Sequence, residues 1–136
     1  MIGLDTNLVV RFLVQDDEAQ AALATEVFAS LTSGRPGFVC SVVLAEISWV
    51  LSRAYRASRE EIASAIEGLL RSEEIVIENT EAAYRALAVH QGGNRIDFAD
   101  ALIAETARLA GADETLTFDR RAASESAMRL VSAAGS

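Results

Sequence analysis

The residues best suited to chemistry in this chain are acidic, and they stand where apolar segments end or helices begin. Asp5 follows the apolar segment IGL, and Asp119 closes the segment TLTFD. Glu46 lies one turn into a predicted helix that follows the apolar segment GFVC. Asp97 and Asp100 open the predicted helix DFADALIAETARLAG, and their i, i+3 spacing places them on one face of it.

Carboxylates from separate segments would meet at one edge of a parallel sheet, because ligands bind such sheets beyond the carboxyl ends of the strands. Clustered carboxylates repel one another, and burial raises their pKa values. A hard divalent cation removes both penalties. Since the ligand atoms are all oxygens, with neither Cys nor His among them, the pattern predicts a site for Mg²⁺ or Mn²⁺ over one for Zn²⁺.

Every one of these carboxylates also has a purely structural explanation. Asp5 can cap the helix that follows it. Asp97 can cap its own helix, where the positive end of the helix dipole favours Asp100. Glu46 can be a solvated helix residue, and Asp119 can begin a turn. A structural role is a sufficient explanation for any one of these carboxylates. The predicted convergence of acidic residues from four segments at one edge of the sheet favours a shared function instead.

The elements that position these residues alternate along the chain. Short apolar strands are predicted at 1–5, 37–40, 74–78, 115–119 and 128–131. Helices are predicted directly after Asp5, over 16–33, from Ser41, after 58–61, over 80–93 and over 97–111. This alternation is typical of an α/β fold, here a mostly parallel sheet of four to five short strands with helices on both faces.

Local signals mark several helix ends. Asp16 or Asp17 can cap the helix over 16–33, and Gly34 can end it. Ser41 can cap the next helix. The segment SREE (58–61) is a capping box, whose first and last residues satisfy each other's backbone amides. The inner face of the helix after Ser41 is predicted to hold Leu44, Ile47, Leu51 and Ala54.

The length and composition predict one folded domain over 1–136, since 51% of the 136 residues are hydrophobic and one is proline. Cys40 is the only cysteine, so no internal disulfide is expected. The sequence has no apolar run long enough for a membrane span, and its N-terminus lacks the features of a signal peptide. We therefore expect a cytoplasmic protein that makes no membrane contact.

The charges restrict the function further. Twelve basic and twenty acidic residues give a net charge of −8, which by itself argues against nucleic acid as a partner. A bound cation or a local cluster of arginines removes that objection. All twelve basic residues are arginine, so P-loop ATPases, Schiff-base enzymes and receiver domains, which need a lysine, are excluded.

Several segments together resemble a PIN domain, and in particular the VapC-type ribonuclease toxins of bacterial toxin–antitoxin pairs. They are GLDTN with the following LVVRFLVQDD, the acidic residue Glu46, DFADALIA and LTFDR, and they span essentially the whole chain. The resemblance implies a three-layer α/β/α sandwich and a metal-dependent endoribonuclease. It also implies that Mg²⁺ or Mn²⁺ is held by Asp5, Glu46, Asp100 and Asp119, with support from Thr6, Asn7, Asp97 and Thr117.

The same resemblance implies partners, with RNA as the substrate. The candidate phosphate contacts, which flank the acidic segments, are Arg11, Arg95, Arg120 and Arg121. A cognate antitoxin is expected to cover the site, and Phe12 and Trp49 are candidates for a groove that receives one of its helices. Ordinary surface charge for the arginines and core packing for the two aromatic residues are the alternatives. A homodimer is also expected, as is common among such toxins.

Two other functions are compatible with parts of the pattern. A catalytically silent PIN-fold binding module would keep the fold, but the intact acidic quartet argues against it. A haloacid-dehalogenase-like phosphohydrolase also begins with an Asp after a strand, yet it requires Asp-x-Asp and a lysine. Asn7 stands in place of the second Asp, and the chain has no lysine. A short neighbouring reading frame for a DNA-binding antitoxin would favour the toxin.

Overall fold

The structure is a computed structural model that describes residues 1–93, 95–124 and 128–132. It comprises two compact units, Met1–Thr80 and Glu81–Ser136. The helices in the described ranges are α1 (Thr6–Val14), α2 (Glu18–Ser30), α3 (Ser41–Ala54), α4 (Arg59–Arg71), α5 (Thr80–Gln91), α6 (Phe98–Leu109) and α7 (Arg120–Ser124). The strands are β1 (Ile2–Gly3), β2 (Gly37–Val39), β3 (Ile75–Ile77), β4 (Leu116–Thr117) and β5 (Arg129–Leu130). No helix within these ranges is both long and apolar enough to cross a membrane.

Every pairing between these strands is parallel, as the alternating pattern predicts. In the first unit the strand order is β1-β2-β3, with Ile2 opposite Gly37. In the second unit β4 pairs with β5, and Leu116 lies opposite Arg129. The sequence predicts one sheet of four to five strands, whereas the described pairings form a three-stranded sheet and a two-stranded sheet. Pairing depends on contacts between segments remote in sequence, which the local pattern does not report.

The connection between β1 and α1 brings Asp5 to the start of a helix. The sequence predicts a strand over 1–5, but β1 ends at Gly3 because Asp5 is already the N-cap of α1. Next to β1, Gly37 of β2 lies so close to the core that a Cβ atom there would stand 2.6 Å from Leu4 Cδ1. This close approach favours glycine at the pairing of β1 with β2.

The helix α2 begins as predicted and ends earlier than predicted. The carboxylate of Asp17 caps it by accepting a hydrogen bond from the amide of Gln20 at 3.0 Å. The prediction that Gly34 ends this helix is wrong, because the helix ends at Ser30. Leu31 is extended and buried, so the chain leaves the helix to place that side chain in the core.

The start of α3 is stabilised from another part of the chain. Cys40 is its N-cap and makes no side-chain capping bond. The amide of Ser41 donates to Glu78 Oε1 at 2.9 Å, so the prediction that Ser41 caps the helix is wrong. A carboxylate that follows β3 satisfies the amide instead. On the inner face, Leu44, Ile47 and Leu51 are buried as predicted, whereas Ala54 is exposed.

The capping box of α4 is confirmed. The amide of Glu61 donates to the hydroxyl of Ser58 at 3.1 Å, and the amide of Ser58 donates to Glu61 Oε1 at 2.8 Å. Because two orphan amides are satisfied locally, this helix start depends little on the rest of the fold. The buried apolar positions of α4 include Ile62, Ile66, Leu69 and Leu70.

In the second unit, a buried histidine fixes the start of α6. The Nδ1 atom of His90 lies 3.3 Å from the carbonyl oxygen of Ile96, and its ring packs edge-on against Phe98 with centroids 6.3 Å apart. The start of this helix carries Asp97 and Asp100. A small cluster formed by Ala104, Ala122 and Met128 packs α6 against α7 and the segment before β5.

Candidate active site

The first group of candidate site residues lies in the first unit, at the start of α1. Asp5 Oδ1 accepts a hydrogen bond from the amide of Leu8 at 3.0 Å, which confirms that Asp5 is a helix cap. The hydroxyl of Thr6 donates to Glu46 Oε1, in α3, at 3.0 Å. Thr6 therefore ties α1 to α3 and orients the carboxylate of Glu46. The side chains of Asp5, Asn7 and Glu46 are exposed.

The second group lies in the second unit, where α6 begins and β4 ends. Burial raises the pKa of the Asp100 carboxyl above its ordinary value, and the carboxylates of Asp97 and Asp119 raise it further. The guanidinium of Arg121 acts in the opposite direction. Asp100 is half-buried, whereas Asp97 and Asp119 are exposed. The structure thus brings these three acidic residues close enough to influence one another electrostatically.

A tight turn holds Asp119. Its amide donates to the hydroxyl of Thr117 at 2.9 Å, and its Oδ1 accepts from the amide of Arg121 at 2.9 Å. The carbonyl of Thr117 accepts from the amide of Val131 at 2.8 Å, which attaches the turn to the segment that follows β5. Thr117 therefore shapes the turn that carries Asp119.

Asp97 has a different role from the cap that its position suggests. It is the N-cap of α6 by backbone conformation, but its side chain makes no capping hydrogen bond. Its Oδ1 lies 3.8 Å from a terminal nitrogen of Arg121, whose Nε donates to the carbonyl oxygen of Arg95 at 3.2 Å. The capping alternative for the Asp97 side chain is thus wrong, because this carboxylate faces Arg121.

The four arginines that are candidate phosphate contacts differ in their surroundings. Arg11 donates to the hydroxyl of Tyr55 at 2.9 Å and pairs with Asp16 at 3.1 Å, so its charge is partly used within the first unit. Arg121 is engaged as described above. Arg95 and Arg120 are exposed, and neither has an ion-pair partner among the described residues.

The chemistry of these residues fits a hard divalent cation, since every donor is a carboxylate or hydroxyl oxygen. The like-charge neighbours that raise the pKa of Asp100 are a penalty that such a cation would relieve. In the part of the chain that the structure describes, no three His, Cys, Asp or Glu side chains form a group that could hold a metal ion. The assignment of Asp5, Glu46, Asp100 and Asp119 as metal ligands stays a prediction.

An apolar groove of about 520 Å³ lies in the first unit, lined by residues of α1, α2, α4 and β3. Phe12 lines it and stacks on Phe28, with ring centroids 3.9 Å apart. Trp49 is not among its lining residues. It is 42% exposed on α3, with the guanidinium carbon of Arg53 5.6 Å from its ring centroid, so core packing is wrong for Trp49.

Phe118, which precedes Asp119 and is 84% exposed, was not predicted from the sequence as a site residue. Its signal in the sequence is its place in the segment TLTFD, directly before a candidate metal ligand. Leu116 is also exposed, at 53%. Two apolar side chains, Leu116 and Phe118, are therefore open to solvent close to the candidate site residue Asp119.

Parallel strands alternating with helices, and acidic residues at strand ends and helix starts, define an α/β protein with acidic candidate site residues. Comparison with family models identifies a match to the PIN domain over residues 2–125, and the chain therefore belongs to the PIN domain family. The fold class is accordingly that of the three-layer α/β/α PIN domains. PIN domains are in general metal-dependent nucleases that use Mg²⁺ or Mn²⁺. No curated protein matches the chain.

Proposed function

We propose that this PIN domain is a Mg²⁺- or Mn²⁺-dependent endoribonuclease and the toxin of a VapC-type toxin–antitoxin pair in the cytoplasm. In this proposal Asp5, Glu46, Asp100 and Asp119 hold the metal. The observation that carries it is the match to the PIN domain family over residues 2–125, together with the grouping of half-buried Asp100 with Asp97 and Asp119. Such an arrangement costs stability and is typical of sites kept for function.

The residues of the chain would orient the acidic groups before any substrate arrives. The hydroxyl of Thr6 holds Glu46, the amide of Leu8 holds Asp5, and the amide of Arg121 holds Asp119. Groups that are oriented in advance need no rearrangement in the transition state. A bound divalent cation supplies activation of a water molecule and neutralises charge on the phosphate.

Proton transfer falls to a carboxylate in this proposal. The chain has no lysine, and its one histidine, His90, is buried against Ile96 and Phe98. Asp5 uses Oδ1 to cap α1, so Oδ2 would be the atom that contacts the metal or accepts a proton. Arg120 and Arg95 are the exposed cations best suited to contact the phosphates of the RNA.

The antitoxin is part of the same proposal. The groove lined by Phe12 and Phe28 has the apolar character that receives one face of an amphipathic helix. At a net charge of −8, the chain should attract a partner segment rich in Arg or Lys, and association should be faster at low salt. We further propose a homodimer, for which Val42 and Trp49 are exposed apolar positions two turns apart on α3.

A second candidate function is a PIN-fold binding module without catalysis. It is favoured by the finding that, in the described ranges, no three potential ligand side chains form a metal-binding group. Membership of the PIN family sets aside the haloacid-dehalogenase-like alternative.

Cleavage assays separate the two functions. The parent chain is incubated with single-stranded oligoribonucleotides in EDTA, and then with Mg²⁺ or Mn²⁺ in excess. We expect cleavage only with the metal, and none by Asp5→Asn, Glu46→Gln or Asp119→Asn. The control Asp113→Asn removes one charge from an exposed loop and should cleave like the parent. Binding of RNA without cleavage under every metal condition would establish the binding module.

A further inference from the structure

Phe118 is the most exposed large apolar side chain in the described chain, at 84%. Single exposed apolar residues are common and need no explanation by themselves. The position of this one is unusual, because it directly precedes Asp119, a proposed metal ligand, and follows Thr117, which shapes the turn around that ligand. The ring is therefore carried by the residue next to a proposed metal ligand, with about 3.8 Å between the two Cα atoms.

The backbone on both sides of Phe118 is anchored. The amide of Asp119 bonds to Thr117 Oγ1 at 2.9 Å, and the carbonyl of Thr117 bonds to the amide of Val131 at 2.8 Å. On the other side, Asp119 Oδ1 accepts from the amide of Arg121 at 2.9 Å. A ring presented on a held turn loses little conformational entropy when it binds a ligand, and this favours recognition.

The surroundings of the ring indicate what it would bind. Phe118 is followed by one acidic residue and two arginines, of which Arg120 is exposed without an ion-pair partner among the described residues. An aromatic face next to a cation is the combination by which proteins bind single-stranded nucleic acid, through base stacking and phosphate contacts. A protein partner would require a wider apolar patch, whereas the next residues along the chain are charged.

We propose that Phe118 stacks on a base of the RNA strand next to the phosphate that is cleaved, and that this contact requires the base to be unpaired. This inference rests on the proposed ribonuclease function. Stacking is tolerant of sequence, because every base has an aromatic face. Phe118 thus selects for an unpaired nucleotide beside the cut and leaves the choice of base to other residues.

The test uses the full chain with Mg²⁺ and a single-stranded oligoribonucleotide that the parent chain cleaves. The variants Phe118→Ala and Phe118→Leu remove the aromatic face, and Phe118→Trp keeps one. Leu116→Ala is the matched control, because Leu116 is another exposed apolar residue, two positions away along the chain. Base stacking on an aromatic side chain corresponds to about 5- to 150-fold in binding, so kcat/KM should fall by that factor in the first two variants. It should stay near the parent value in Phe118→Trp and Leu116→Ala, with melting temperatures unchanged.

A second substrate tests the base directly. Oligoribonucleotides with one abasic position, placed in turn on either side of the cut, should show one position at which the parent loses the same factor. Phe118→Ala should lose nothing further on that substrate. Equal kcat/KM for the parent and Phe118→Ala overturns the inference and leaves the ribonuclease function standing. So does a change of oligomeric state in Phe118→Ala by light scattering, which would assign the ring to a protein contact. Absence of cleavage by the parent on every oligoribonucleotide overturns both.

Discussion

At the scale of single residues, Asp100 differs from the other acids whose pKa values depart from the ordinary range. A hydrogen bond from Tyr55 lowers the pKa of Asp16, the capping box lowers that of Glu61, and Arg129 lowers that of Glu114. Of these four acids, Asp100 is the one whose pKa is shifted upward, by burial and by like charges. The ionised carboxylates of Asp16, Glu61 and Glu114 therefore stabilise the folded state, whereas the ionised carboxylate of Asp100 destabilises it.

The raised pKa of Asp100 predicts a pH-dependent cost. The folded state binds the Asp100 proton more tightly than the unfolded state, so the cost appears as the pH rises through the folded pKa. In EDTA, Asp100→Asn should therefore melt higher than the parent at pH 7. The difference should shrink as the pH falls toward the ordinary Asp pKa of about 3.9. Circular dichroism melts across this range, with Asp113→Asn as the charge control, measure it. A constant difference at all pH values would contradict the electrostatic cause.

Asp97 and Asp100 are predicted to differ in function. Asp100→Asn should be folded and inactive, as expected for a lost metal ligand. Asp97 faces Arg121 and makes no capping bond, so Asp97→Ser should keep measurable cleavage at high Mg²⁺. The expected loss is about 10–100-fold, which is typical of a group that orients a ligand. Cleavage rates measured over a Mg²⁺ titration distinguish the two roles. If both variants are equally inactive in cleavage at saturating Mg²⁺, Asp97 binds the metal itself.

At the scale of elements, several helices and strands are positioned by contacts from outside themselves. The amide of Ser41, at the start of α3, donates to Glu78, which follows β3, and the hydroxyl of Thr6 in α1 donates to Glu46 in α3. These bonds join α1 to α3, and α3 to the segment that follows β3. Elements tied in this way orient side chains more rigidly than a free loop does.

Glycine substitutions test the packing between β1 and β2. Gly37→Ala would place its Cβ atom 2.6 Å from Leu4 Cδ1 and 3.0 Å from Leu31 Cδ1, and both leucines are buried. We expect the free energy of unfolding to fall by about 1–3 kcal/mol, as for other overpacked cores. Gly68→Ala, in α4, meets no atom within 4 Å and should raise it by about 0.5–1 kcal/mol. Urea unfolding monitored by circular dichroism gives both values, and a stable Gly37→Ala would show that β1 can shift.

At the scale of the whole molecule, a net charge of −8 affects which ligands the protein attracts and which it repels. Self-repulsion favours the binding of any cation, and the proposed RNA substrate carries charge of the same sign. Under the proposed function, the metal and the exposed arginines therefore make RNA binding possible. The same charge favours a basic antitoxin.

Metal binding should be visible without catalysis. Because the ion binds the folded state only, Mg²⁺ at about 100 times its dissociation constant should stabilise the protein by about 2.7 kcal/mol. Thermal melts in Mg²⁺ are compared with melts in NaCl at equal ionic strength, since salt screening also relieves self-repulsion. Asp100→Asn should lose most of the Mg²⁺-specific increase. Equal increases in the two salts would refute a specific metal site.

The groove of the first unit should be required for the antitoxin and dispensable for catalysis. Ala29→Arg places a long charged side chain in the groove, whereas Ala22→Arg adds the same side chain elsewhere on α2. Under the proposed function, the partner is the antitoxin expected from a short reading frame beside this gene, purified with the parent chain. Ala29→Arg should weaken that complex by more than about tenfold, since burying an unpaired charge is costly. Calorimetry measures the affinity, and equal binding by the two variants would place the contact outside the groove.

The sequence alone was sufficient for features that depend on neighbours along the chain. Apolar periodicity located the helices and strands, and short-range hydrogen bonds made the caps at Asp17 and Ser58 predictable. The candidate acidic residues and the family resemblance that they carry could also be identified from the sequence, because residue type is a local property. The PIN family match confirms the fold class drawn from these signals.

Only the tertiary structure decided which residues meet across long separations. The bond from Thr6 to Glu46 joins residues 40 apart, and the contact between Arg121 and Asp97 takes the latter away from its expected capping role. Burial of Leu31 ended α2 early, and Glu78 replaced the cap expected from Ser41. The exposure of Phe118 follows in the same way from what the fold leaves uncovered. Each of these outcomes depends on packing between remote segments, and the free energy of such packing exceeds the local preference of a single residue.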